Sequence, residues 1–144
     1  MENSTINITI YLTPITKKNH QQIVQFKIKG TNKKRSCVIP SKQYKQYEKD
    51  CFEYLNIASF KTIDSPVNVK CVYYMPTKRR VDLVNLQEST LDILVKYNIL
   101  ADDNSNIVAS MDGSRVCYDK ENPRTEIEIT FLKKEVKTQN IETK

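Results

Sequence analysis

PTKRRVDLVNLQESTLDILVKYNILADDNSNIV, residues 76–108, decides the fold. Pro76 stops an alternating run, Val67, Val69, Cys71, Tyr73 and Met75, which has the two-residue period of a strand. Past the basic turn Lys78-Arg79-Arg80, Leu83, Leu86, Leu91 and Leu94 recur at the three-to-four spacing of an amphipathic helix, expected over residues 82–97. Asp82 stands where a carboxylate can accept the free N–H groups of the first turn, and Asn98 is placed to close the helix. The polar run 102–106 then leads into a short strand, Ile107 to Met111, and a turn at Asp112-Gly113.

Outward from this strand–helix–strand unit the pattern stays regular. Ile6, Ile8, Ile10 and Leu12 alternate until Pro14, and Val24, Phe26 and Ile28 alternate up to a turn at Gly30. Ser36 to Ile39 returns as the second arm of a hairpin. Ser41 caps a first helix whose apolar face is Tyr44, Tyr47, Cys51, Phe52 and Leu55. Asp119 to Pro123 is a turn region, and Thr125 to Leu132 is a strand with Ile127, Ile129 and Phe131 on one side and Glu126, Glu128 and Thr130 on the other. The expected class is α+β, a mixed β-sheet with two main helices packed on one face. Residues 1–133 form one domain, and 134–144 an unpatterned, charged tail.

The composition narrows the function. The chain has 144 residues, 39% hydrophobic and 28% charged, with a net charge of +6 that favours a polyanionic partner. Its two glycines exclude a glycine-rich phosphate cradle, and its single histidine, His20, makes a Ser-His or Cys-His mechanism a poor match. Cys37, Cys51, Cys71 and Cys117 form no CxxC pair, so a structural zinc site is not expected, and Cys51 and Cys71 read as buried core thiols. Nothing near the N-terminus reads as a secretory signal and no apolar run is long enough to span a bilayer, so a cytoplasmic protein with reduced thiols is expected.

Oxygen ligands concentrate around the second helix. Asp82 opens it, Asp102 and Asp103 follow it, and Asn85, Glu88 and Asp92 share the face opposite the leucines. Carboxylates in such numbers suit a hard cation of the kind that polarises a phosphodiester. A polar helix stripe also faces solvent in most proteins, and an acidic N-cap commonly does no more than cap. From the residues alone both readings stay open.

The block from Pro76 closely resembles the core of RusA-type Holliday-junction resolvases, in which a basic cluster precedes D-L-D-N-L at a helix start and a D-D pair follows the helix. Met75-Pro76, Arg79-Arg80, Asp82-Leu83, Asn85-Leu86-Gln87, Asp92 and Asp102-Asp103 fall at matching positions. TPITKKNHQQ and PSKQYKQYEK are similar to the family's opening loop and first helix. The resemblance implies a homodimeric endodeoxyribonuclease of recombination and repair that cuts branched DNA with Mg²⁺ or Mn²⁺. A prophage origin also comes from it. Asp82 matches the first catalytic aspartate and Asp103 the last, with Asp102 beside it and Asn85 as the motif asparagine.

Two positions depart from the motif. The second aspartate is Val84, which cannot bind a metal, and the helix lysine is Glu88. The two lie one helical turn apart and side chains lean toward the helix N-terminus, so Glu88 is expected to restore the lost charge. The expected site is thus Asp82, Asp103 and Glu88 for catalysis and metal binding, with Asp102 as a further metal ligand and Asn85 in support. Arg79, Arg80, Lys17, Lys18, Lys33, Lys34 and Arg35 are the expected phosphate contacts. Tyr44, Tyr47, Tyr73 and Tyr74 suit the core better than base stacking. Val84 also supports a rival, a junction-binding protein of the same fold with weak or no cleavage. A protein-interaction module without a nucleic-acid role is a further rival.

Overall fold

Strand β4 (Val67–Met75) is the spine of the molecule, and its neighbours decide which of its faces becomes core. The structure is a computed structural model and describes residues 4–17, 21–56 and 61–132. β4 pairs antiparallel with β7 (Arg124–Phe131), and β7 pairs antiparallel with β1 (Thr5–Ile10). On its other side β4 pairs in parallel with β5 (Val108–Ser110) at its start and β6 (Arg115–Tyr118) at its end. The sheet is therefore mixed, in the order β1-β7-β4-β5, with β6 also on β4.

Register turns the alternating pattern into a layer. Ile8 lies opposite Ile127, Ile6 opposite Ile129, and Cys71 and Val69 meet the same two isoleucines from the other side. A slip of one residue would turn every one of these side chains to the opposite face. Helices α1 (Lys42–Leu55) and α2 (Leu83–Lys96) close the layer from one face, with Tyr44, Tyr47, Cys51 and Leu55 from α1 and Leu86, Ile93 and Leu94 from α2 joining a single core. Tyr73 reaches from the sheet to α2, where its hydroxyl donates to Thr90 Oγ1 at 2.7 Å while Thr90 donates to the Leu86 carbonyl. The helices are tied together by Lys96, 2.6 Å from Glu48, and by the Tyr97 hydroxyl on the Glu48 carbonyl.

The expected caps hold. Ser41 Oγ accepts from the Tyr44 N–H, and Asp82 Oδ1 accepts from the Val84 N–H at 2.9 Å. Asn98 takes the left-handed conformation at φ 61°, with the Asn98 N–H on the Val95 carbonyl and the Ile99 N–H on the Leu94 carbonyl. That pair of bonds is a Schellman closure, and it drops Ile99 and Leu100 into the core.

Three features differ from the reading above. β2 (Gln21–Lys27) and β3 (Lys34–Pro40) form the expected hairpin, but as a two-stranded sheet of their own. β1 ends at Ile10, before Leu12. Arg115–Tyr118 is a strand the periodicity does not reveal; four residues are too few to show a period, and Gly113, at φ +89° and against the Lys70 side chain, turns the chain from β5 into it. The expected tail from residue 134, together with Lys18 and His20, lies outside the described residues. Among the described residues no helix is long and apolar enough to cross a membrane.

Candidate functional site

The β4–α2–β5 unit positions the acidic residues, and its connectivity separates two of them. Asp82 follows the C-terminal end of β4 and caps α2. Asp103 lies past the far end of α2, just before β5, whose Val108 pairs with Val67 at the start of β4. The fourteen residues of α2 span about 21 Å of helical rise, so the two aspartates stand near opposite ends of one helix.

Each aspartate has a distinct local task. One oxygen of Asp82 caps the helix, and the other has no partner among the described residues. Asp102 spends both oxygens on its own loop: Oδ1 accepts from the Asp103 N–H at 2.7 Å and Oδ2 from Asn104 Nδ2 at 2.9 Å. Asn104 continues the lock, its Oδ1 accepting from the Asn106 N–H and its carbonyl from the Ile107 and Val108 N–H groups. The loop is thereby shaped by Asp102, while the exposed Asp103 carboxylate makes no hydrogen bond or ion pair among the described residues.

Asp92 is the residue this geometry adds to the site. It is half-buried on the polar stripe of α2. Burial raises its pKa, Lys17 opposes the rise, and Asp103, Glu88 and Glu48 add to it. Those groups are therefore its electrostatic neighbours. Lys17 is held over α2 by its backbone N–H, which donates to Ser89 Oγ at 2.9 Å. The buried Tyr44 hydroxyl lies beside the same group, near Ser89. The i, i+3, i+7 stripe pointed to Asp92 in the sequence; its nearness to Asp103 and Lys17 depends on how the loops fold back.

Asn85 is half-buried and Glu88 exposed, both on α2. Val84 is 62% exposed in the first turn of α2. Asp82, Glu88 and Asp103 do not converge within one chain: among the described residues no three His, Cys, Asp or Glu side chains gather as a metal-holding group. One chain by itself does not fit a single ion held by all three.

Cations flank the acids at both ends. Arg79 and Arg80 are exposed in the turn before Asp82 and make no ion pair among the described residues. Arg124, by contrast, is consumed by Asp119, Glu126 and the Tyr74 ring, 3.8 Å away. Lys33, Lys34 and Arg35 are exposed on the β2–β3 hairpin, joined there by Lys27 and Lys29 with no acidic residue between 21 and 40. The hairpin end is firm: the Ile28 N–H donates to the Lys33 carbonyl and the Thr31 N–H to the Ile28 carbonyl. Tyr44, Tyr47 and Tyr73 are buried, and Tyr74 is half-buried beneath Arg124, so none offers an open ring face.

Residues 12–130 match the family model of endodeoxyribonuclease RusA, a range that takes in every element from β2 to β7 save the last residue of β7. A search of curated proteins gives no match.

Proposed function

The chain belongs to the endodeoxyribonuclease RusA family of Holliday-junction resolvases, and from that premise we propose that it is a structure-specific nuclease. It resolves four-way or other branched DNA in recombination and repair, and works in the cytoplasm. The observation that carries this reading is the family match over residues 12–130, a range that includes the whole β4–α2–β5 unit with its basic turn, Asp82 cap and Asp102-Asp103 loop.

Family resolvases generally depend on a divalent metal, and Mg²⁺ or Mn²⁺ is the cofactor proposed here. Asp82, Glu88 and Asp103 are its proposed ligands. Asp102 acts on Asp103 through the loop it locks, and Asn85 supports the α2 stripe. Because the three carboxylates are not gathered in one chain, the proposed binding includes side-chain rearrangement or a contribution from a second copy. Symmetric cutting of a four-way junction requires two sites in one particle as well, so a C2 homodimer is proposed.

The basic residues position the substrate. Arg79 and Arg80 would bind phosphates next to Asp82, Lys17 those near the Asp92 side, and Lys33, Lys34 and Arg35 a duplex arm farther away; Lys18 is a proposed phosphate contact from the sequence alone. Such contacts read backbone shape rather than sequence.

One observation favours a second reading. Val84 leaves the first turn of α2 without the second carboxylate of the motif, as expected of a chain that binds junctions but cleaves weakly or not at all. A labelled four-way junction incubated with the protein and Mg²⁺ or Mn²⁺ separates the two. Paired nicks, lost with EDTA and in Asp103→Asn, support the nuclease; tight binding without nicks in either metal favours the binder. Absence of any salt-dependent DNA affinity would leave the protein-interaction alternative.

A further inference from the structure

The end of β6 carries an aromatic ring that none of the residues above accounts for. Tyr118 is 46% exposed, and Lys78 Nζ stands 5.3 Å from its ring centroid. Its position follows from register. Tyr118 pairs in parallel with Met75 and Val116 with Tyr73, and paired residues of neighbouring strands point to the same side of a sheet. Tyr73 points to α2, where it bonds Thr90, so Val116 and Tyr118 project on the helix-bearing side at the sheet edge. The Asp119 N–H donates to the Met75 carbonyl at 2.9 Å, fixing Tyr118 where β4 gives way to the turn Lys78-Arg79-Arg80. A partly exposed ring, with a lysine on it and, one and two residues further along that turn, two arginines that make no ion pair among the described residues, therefore stands at the end of the sheet from which Asp82 also departs. Val116, 38% exposed, extends the apolar strip along the same edge.

An exposed ring beside exposed cations matches the two halves of a nucleotide: a base stacks on the aromatic face while phosphates meet the cations. In intact duplex every base face is covered by its neighbours. A branch point offers base faces that can be uncovered at small cost. We propose that Tyr118, with Lys78, is a stacking platform for an unstacked base at the crossover of branched DNA, and thereby a residue that sets the preference for branched over linear substrate. This inference rests on the reading of the chain as a branched-DNA nuclease.

The test compares the wild-type chain with Tyr118→Ala and Tyr118→Phe. Affinity is measured for a four-way junction and for a linear duplex of the same arms, with Ca²⁺ replacing Mg²⁺ to hold off cleavage. Tyr118→Ala is expected to weaken junction binding about tenfold, the order that loss of one base–aromatic stack produces, and to leave duplex binding within about twofold. Tyr118→Phe keeps the ring and is expected to match the wild type. A 5-iodouracil at the crossover is expected to cross-link to the peptide containing Tyr118. An unchanged ratio of junction to duplex affinity in Tyr118→Ala overturns the proposal, as does an equal loss on both substrates. A change of sedimentation state in Tyr118→Ala overturns it too, by placing the ring in a protein interface. If the wild type binds neither DNA, the nuclease reading falls and takes the platform with it.

Discussion

Asp82 is asked to do two jobs, and two substitutions separate them. Its Oδ1 caps α2 by accepting the Val84 N–H at 2.9 Å, and its second oxygen is proposed to meet the metal. Asp82→Ala deletes both functions. Loss of an aspartate N-cap costs about 1 kcal/mol, and for a chain of this length that lowers Tm by about 3 °C. Asp82→Asn keeps an oxygen that caps equally well and loses only the carboxylate's attraction to the helix N-terminus, about 0.3 to 1 kcal/mol, or about 1 to 3 °C. Stability should therefore rank wild type, then Asn, then Ala, within a few degrees. Cleavage should rank otherwise. An amide is a poor substitute for a metal-binding carboxylate, so both variants should lose about a hundredfold or more, about 2.7 kcal/mol of barrier. Thermal unfolding followed by circular dichroism gives the first ranking, and nicking of a labelled junction at 25 °C, well below the transition, gives the second. If Asp82→Asn cleaves like the wild type, Asp82 is only a cap and the proposed ligand set is wrong.

Val84→Asp should raise divalent-ion affinity and junction cleavage at little cost in stability, because the valine is mostly exposed and a carboxylate suits the first turn of a helix; unchanged cleavage in an ion titration would show that a carboxylate at this position adds nothing to the site. Lys33→Ala, Lys34→Ala and Arg35→Ala combined should reduce the slope of log affinity against log salt by about 2 to 3, each lost phosphate contact contributing about 0.9. An unchanged slope in fluorescence anisotropy would remove the hairpin from the interface. Asp92→Asn tests the half-buried acid. Burial, with Asp103, Glu88 and Glu48 nearby, raises the folded-state pKa above its unfolded value, so the folded chain holds this proton more tightly and stability falls as pH rises through that range. The variant should melt above the wild type near pH 7, with the gap closing toward about pH 4, and a constant gap across a Tm–pH series would contradict it.

Legibility in the sequence followed the range of the forces involved. The α2 boundaries, both N-caps, the Asn98 closure, β4, β7 and the β2–β3 hairpin are set by neighbours within a few residues, so periodicity and turn chemistry exposed them. Cys51 and Cys71 were legible as core thiols for the same reason, and burial pushes both up to about 12. β6 was not legible, because four residues carry no period and their strand state depends on pairing with a segment more than forty residues earlier. Tyr118 was missed with it.

The sequence by itself determined which residues have acidic or basic chemistry, which faces are apolar, and which family the chain belongs to, since each of these is a property of residue type and spacing along the chain. Only the tertiary structure decided how Asp82, Asp92 and Asp103 stand relative to one another. The crossover from β4 through α2 to β5 sends Asp82 and Asp103 toward opposite ends of a helix, while the loop locked by Asp102 brings Asp103 near Asp92. The two ends of that helix are joined in sequence and held apart in space by its own rise, a separation the D-L-x-N and D-D spacing does not reveal.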